Sequence, residues 1–208
     1  MKPPNLILFD IGSVIINVDH SKIANGLAKF STNPQHADPV QVLTSLKSTS
    51  STLINSYDKG NISSRDLFNQ ISSTYELDIN FPMFRAIWNS CFSENKEVSS
   101  LVQKLSRQYT IFLLSNTNAM HYEFLYNTFP VIKNIQTAIL SYEVHSRKPE
   151  SEIYQHALKL GNVPAHSVWY VDDRIEFVNA ATKLGIHSIQ FEGASKLRKA
   201  LQPILDSA

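Results

Sequence analysis

What constrains this chain most is a set of short apolar runs, each closed by a polar or acidic residue and separated by helix-like sequence. Leu6-Ile7-Leu8-Phe9 closes at Asp10, Thr110 to Leu114 closes at Ser115-Asn116, and Ser167 to Val171 closes at Asp172-Asp173. His187 to Phe191 reads as a further strand and Asn134 to Leu140 as a weaker one. Runs that are apolar throughout, rather than alternating, suit strands covered by helices on both faces. Their alternation with helical patterns is the mark of βαβ units and a parallel sheet, so the expected class is α/β.

Helices are expected near 95–108, 118–128, 150–160, 175–184 and 194–205. The one from Glu150 carries Ile153, Ala157, Leu158 and Leu160 on one stripe and is expected to end with Gly161 as its C-cap residue. The stretch from 20 to 90 breaks the rhythm. It has no β-branched run, is rich in Ser, Thr and Asn, and reads as helices near 20–30, 39–56, 63–76 and 81–91 with Lys59-Gly60-Asn61 as a turn. A helical subdomain of residues 20–90, inserted into an α/β core made of 1–19 and 91–208, is the expected organisation. With 208 residues, 43% of them hydrophobic, such a core can be sizeable.

Composition excludes several classes of protein. Nineteen basic against eighteen acidic residues give a formal charge of +1, and no Lys/Arg block offers a track for nucleic acid. No apolar run approaches the ~20 residues of a membrane span. The first residues lack a signal-peptide pattern, and the single cysteine, Cys91, leaves no internal disulfide or thiolate metal site. A cytoplasmic protein without membrane or nucleic-acid partners is expected. The seven histidines are scattered without zinc-site spacing and read as surface or structural, and Phe81, Phe84, Trp88 and Phe92 read as a packed helical face, with a substrate contact by one of them as the alternative.

In an open parallel sheet, ligands bind beyond the carboxyl ends of the strands. Three strands here deliver Asp10, Ser115 with Asn116, and Asp172 with Asp173 to that edge, and Lys148 in Arg147-Lys148-Pro149 adds a fixed positive charge. Carboxylates, a hydroxyl and an ammonium in one volume suit phosphoryl transfer, in which catalysis is mostly positioning and charge stabilisation. Mg2+ would relieve the repulsion between a phosphate and the carboxylates, because it takes oxygen ligands from one or two carboxylates and the substrate.

Phe9-Asp10-Ile11-Gly12-Ser13-Val14, Leu114-Ser115-Asn116-Thr117-Asn118, Arg147-Lys148-Pro149 and Val171-Asp172-Asp173, in this order, resemble the four motifs of the haloacid dehalogenase (HAD) superfamily. The detail resembles the subgroup of bacterial glucose-1-phosphate phosphatases and the phosphatase domain of soluble epoxide hydrolase. The resemblance implies a Rossmann-like core with a helical cap of the C1 type and a Mg2+-dependent phosphatase acting on a small phosphorylated metabolite. It makes Asp10 the nucleophile that forms an aspartyl-phosphate, Ser115 and Asn116 binders of the phosphoryl group, and Lys148 the cation beside both. Asp10, the Gly12 carbonyl and Asp173 become the Mg2+ ligands, with Asp172 as an alternate or supporting carboxylate.

Two positions depart from the family pattern. Gly12 stands where most of its phosphatases carry an Asp that acts as general acid, which favours esters with good leaving groups, a sugar 1-phosphate among them. Asp19 and His20 are candidate substitutes. Phe177 stands where Asn or Asp is usual, removing a polar group near the metal site. The rival readings are a metal-free 2-haloacid dehalogenase and a catalytically weakened domain that binds a phosphorylated ligand or a protein partner.

Overall fold

The computed structural model describes residues 3–48 and 51–205. In chain order its strands are β1 (Leu6–Phe9), β2 (Ile16–Val18), β3 (Phe92–Glu94), β4 (Thr110–Ser115), β5 (Thr137–Leu140), β6 (Val168–Asp172) and β7 (His187–Gln190). Five of them form one sheet in the order β5-β4-β1-β6-β7, with every pair parallel. The expected α/β class and all five expected strands are therefore present. Side chains of the central strands alternate between two cores, Ile7, Phe9, Leu113 and Val171 on one face and Leu6, Leu8, Leu114 and Tyr170 on the other. That two-sided burial is why these strands are apolar throughout.

Among the described residues twelve α-helices accompany the sheet. The first five are α1 (His20–Lys29), α2 (Pro39–Ser48), α3 (Ser51–Asp58), α4 (Ser64–Tyr75) and α5 (Phe81–Asn89). The rest are α6 (Lys96–Leu105), α7 (Ala119–Thr128), α8 (Pro130–Lys133), α9 (Ser141–Val144), α10 (Ser151–Gly161), α11 (Ile175–Lys183) and α12 (Ala194–Leu205). The helix expected over 39–56 is described as α2 and α3, and residues 49 and 50 between them lie outside the described residues. Helix α10 ends one residue later than expected. Asn162, in the left-handed region with φ 49°, is its C-cap, while Gly161 lies so close to β1 that a Cβ would stand 2.8 Å from Leu6 Cδ2. No helix among the described residues is long and apolar enough to cross a membrane.

Helices α1 to α5 close on a core of their own, in which Ile23, Leu27, Leu67, Ile71, Phe84 and Trp88 are buried together. The chain enters and leaves this group through an antiparallel pair of three-residue strands, β2 and β3, with Ile16 opposite Glu94 and Val18 opposite Phe92. This pair was not expected, because three residues are too few to show a strand period.

Candidate active site

The register of the sheet brings the site together. Phe9 pairs with Leu113 on one side and Val171 on the other, and the Asp10 amide donates to Val171 O at 2.9 Å, so Asp10, Ser115 and Asp172 all arrive at one edge. Asp10, Gly12, Ser115, Asn116, Lys148 and Asp173 line a common cavity of about 370 Å³. Asp172 is fully buried beneath it.

Lys148 is 1% exposed and its Nζ has three oxygen partners. Its Nζ lies 2.9 Å from Asp10 Oδ1 and 2.6 Å from Asp172 Oδ2, and donates to Leu114 O at 2.9 Å. Burial pulls the ammonium down, but the charges of Asp10 and Asp172 outweigh it and hold the pKa above its ordinary value. In this arrangement the Lys148 ammonium neutralises both Asp10 and Asp172. Asn116, expected beside the phosphoryl group, lines the cavity and bonds the lysine backbone: its Nδ2 donates to Lys148 O at 2.9 Å and its Oδ1 accepts from Lys148 N at 2.8 Å. It thus clamps the lysine backbone.

The two neighbouring acids divide their roles. Asp172 Oδ2 accepts from Lys148 and from the Tyr170 hydroxyl, and its Oδ1 accepts from Arg174 N at 2.8 Å. Neither acid caps the next helix through its side chain. The N-cap of α11 is Arg174, without a side-chain cap bond. Asp173 is only half-buried and lines the cavity, with its carboxyl raised first by burial and then by Asp172.

Asp10 accepts from Ile11 N at 2.7 Å and pairs with Lys148, both through Oδ1. Among the described residues no partner is found for Oδ2. Burial lifts its carboxyl to about 7 against the pull of Lys148, and Asp172 adds to the rise. Oxygens of Asp10, Asp172 and Asp173 come within 4.8 Å of one another, a spacing that one cation can bridge. Three carboxylates facing one ammonium leave a deficit of positive charge. Hard oxygen donors with that deficit fit Mg2+, which is held by carboxylates and keeps waters.

Phe177 replaces the expected polar group with an aromatic face. Lys148 Nζ stands 5.2 Å and Arg174 Cζ 4.5 Å from its ring centroid, so the ring meets the two nearest cations through its π-face. Of the candidate substitute acids, Asp19 is the N-cap of α1. Its Oδ1 accepts from Ser21 N at 3.0 Å and Ser21 Oγ at 2.5 Å, which holds its pKa below the usual value and leaves it ionised. His20 lines the cavity, as does His121, whose ring stacks on Trp88 at 5.8 Å and meets Phe92 edge-on.

Sequence reasoning missed Tyr170, whose place two residues before Asp172 on a strand puts both side chains on one face. It also missed the end of α3. Asn118 Nδ2 donates to Asp58 Oδ1 at 3.1 Å, Ser141 Oγ to Asp58 O at 2.5 Å, and Met120 N to Tyr57 Oη at 3.3 Å. Lys59 pairs with Glu150 at 2.6 Å. The Lys59-Gly60-Asn61 turn was the available signal. Gly60 has φ +71°, and a Cβ there would stand 2.2 Å from Tyr142 O.

This parallel sheet, with its acids at the carboxyl edge and a helical insertion above them, defines a class of hydrolases. The pattern described as haloacid dehalogenase-like hydrolase matches residues 7–191, and the chain belongs to that family. It is 25% identical over 208 residues to the D-ribitol-5-phosphate phosphatase of Bacteroides thetaiotaomicron, covering 97% of this chain and 98% of the relative. Among solved structures, a HAD family enzyme of Bacteroides thetaiotaomicron in complex with magnesium and inorganic phosphate matches with TM-score 0.77 at 24% identity, over 93% of this chain and 98% of that one. A HAD-like hydrolase of Porphyromonas gingivalis matches with TM-score 0.82 at 16% identity, over 98% of both chains.

Proposed function

We propose that this protein is a Mg2+-dependent phosphomonoesterase that works through an aspartyl-phosphate on Asp10. The observation that carries this is the Asp10 carboxylate, held at one oxygen by Lys148 and Ile11 N and open at the other, in a cavity it shares with Ser115 and Asp173. Asp10 Oδ2 attacks phosphorus, the phosphorus–oxygen bond to the alcohol breaks, and the alcohol oxygen leaves and is then protonated by water. Water then attacks the phosphorus of the aspartyl-phosphate, and Asp10 departs as carboxylate with inorganic phosphate as product. Ser115 hydrogen-bonds the phosphoryl oxygens.

Asp10, Asp173 and the Gly12 carbonyl would hold Mg2+, which supplies charge neutralisation at the phosphoryl group. Asp172 is spent on Lys148, Tyr170 and Arg174 and keeps the lysine in place. Residues 20–90 act as a cap that shields the reaction from water, docked on the core through Tyr57, Asp58 and Lys59. The phosphatase named for the Bacteroides relative supports the phosphomonoester class. A metal-free dehalogenase is disfavoured, because Asp173 would then only add negative charge beside the nucleophile.

The test is phosphate release from a panel of esters by purified protein. Release that needs Mg2+, stops with EDTA and is lost in Asp10→Asn is expected. Chloride release from a 2-chloroacid in EDTA, or a panel without any turnover at full Mg2+ loading, overturns the reading.

A further inference from the structure

The floor of the cavity is polar, while much of its wall is apolar. Above the acids stand Ile23 of α1, Leu43 and Leu46 of α2, and Ile54 of α3, all lining the cavity. The same cavity carries an aromatic sector in which Trp88 stacks on His121 and Phe92 meets His121 edge-on. Polar side chains also reach the walls, and several of them are engaged with one another, while among the described residues Trp88 Nε1 and Arg147 Nε are buried there without a hydrogen-bond partner. Asp58 accepts from Asn118, His121 Nδ1 bonds Asn89 Oδ1 at 2.9 Å, and an Arg147 guanidinium nitrogen donates to Asn55 Oδ1. His20 shares the wall with His121, on whose ring it acts electrostatically.

A polyol entering this space could reach those two donors, but each hydroxyl turned toward the aliphatic or aromatic wall would be left without a partner, at a cost of about 1–3 kcal/mol. A flat apolar ring would lose nothing polar and would meet Trp88 and Phe92 through favourable stacked or edge contacts. The leaving group points the same way. Gly12 carries no proton to donate, and of the two candidate substitutes Asp19 is ionised and committed to the start of α1, which leaves only His20 in the cavity wall. An alkoxide is expelled slowly without an acid, whereas a phenoxide departs as a stable anion.

Resting on the phosphomonoesterase reading, we propose that the substrate is a phosphate ester of an apolar phenolic alcohol, an aryl phosphate, rather than a polyol phosphate. The ring lies between the aliphatic wall of α1 to α3 and the Trp88–Phe92–His121 sector. The ester oxygen leaves unprotonated as the aspartyl-phosphate forms, and takes its proton from water afterwards.

Two measurements separate ring recognition from leaving-group ease. First, kcat/KM is compared for 2-naphthyl phosphate, phenyl phosphate, cyclohexyl phosphate and ribitol 5-phosphate. The naphthyl ester should exceed the polyol ester by at least about 100-fold, with cyclohexyl phosphate showing a comparable KM to phenyl phosphate and a lower kcat. Second, inhibition by 2-naphthylmethylphosphonate is compared with that by methylphosphonate, neither of which has a leaving group. The naphthyl compound should bind at least about tenfold more tightly, and Leu43→Asn or Ile54→Asn should shrink that ratio. Equal binding of the two phosphonates, or ribitol 5-phosphate as the better substrate, overturns the inference while leaving the phosphatase reading intact. Failure of the reading itself looks different, with no phosphate released from any ester or with release persisting in Asp10→Asn.

Discussion

Replacing Lys148 with Met tests how the site is held together. The substitution keeps the stem and removes the ammonium that lies 2.9 Å from Asp10 and 2.6 Å from Asp172, leaving two buried carboxylates and the Leu114 carbonyl without their donor. Removing one partner of a buried ion pair costs about 3–5 kcal/mol, because the remaining charge stays out of water uncompensated. For a chain of this size each kcal/mol moves Tm by about 2–4 °C, so a fall of about 10 °C is expected. Burial already holds Asp10 above its unfolded pKa, and loss of the Lys148 charge removes what pulls it down. Protonation of Asp10 then relieves the repulsion, so the deficit is largest at pH 8 and shrinks toward pH 5. Urea unfolding of wild type, Lys148→Met, Asp172→Asn and the double variant across that range supplies the numbers. The double variant should recover much of the loss. A single Lys148→Met variant that stays within about 1 kcal/mol of wild type at pH 8 would refute the buried-network reasoning.

Gly12→Asp meets only Val18 Cγ2 at 3.5 Å and no positive φ, so it should fold, and the acid it supplies should raise kcat on alkyl phosphates by about 10–100-fold while leaving dinitrophenyl phosphate unchanged. A flatter plot of log kcat against leaving-group pKa is the readout. Burial holds the His121 imidazole down at about 3, below its unfolded value, so its contribution is present above about pH 6.5 and lost as pH falls toward 3. Acidification from pH 7 to 5 should therefore cost wild type about 2 kcal/mol through this residue, and His121→Phe, followed by urea titration, should remove that part of the slope. Gly60→Ala places a Cβ 2.2 Å from Tyr142 O at a φ of +71°, so it should lose at least about 1–2 kcal/mol of stability and expose the α3–α9 contact to faster amide exchange.

The α/β class and the gathering of Asp10, Ser115, Lys148 and Asp173 could be read from residue order alone. Parallel strands deliver their C-terminal residues to one edge, and a motif placed there needs no further geometry. The division of labour could not. Asn116 and Lys148 are 32 positions apart, and whether the amide turns to a ligand or to the lysine backbone depends on side-chain direction. Asp172 and Asp173 are adjacent yet point differently, because neighbours at a strand end face opposite sides, one into the core beside Tyr170 and one into the cavity. The shift of the α10 cap from Gly161 to Asn162 has a similar origin, since the glycine is required for its approach to Leu6 rather than for a left-handed φ. The apolar character of the walls also stayed hidden, because Leu43, Ile54 and Phe92 look like any core residue until the cavity is seen between them.

The central claim is that the Asp10 side chain becomes covalently phosphorylated. Acid quenching of the Mg2+-loaded protein within one turnover of a 32P-labelled aryl phosphate, followed by peptide mapping, reads this directly. The account predicts label on the peptide containing Asp10, released by hydroxylamine and absent in Asp10→Asn. Rapid phosphate production with no protein-bound label at any quench time, matched by an Asp10→Asn variant of undiminished rate, would contradict it.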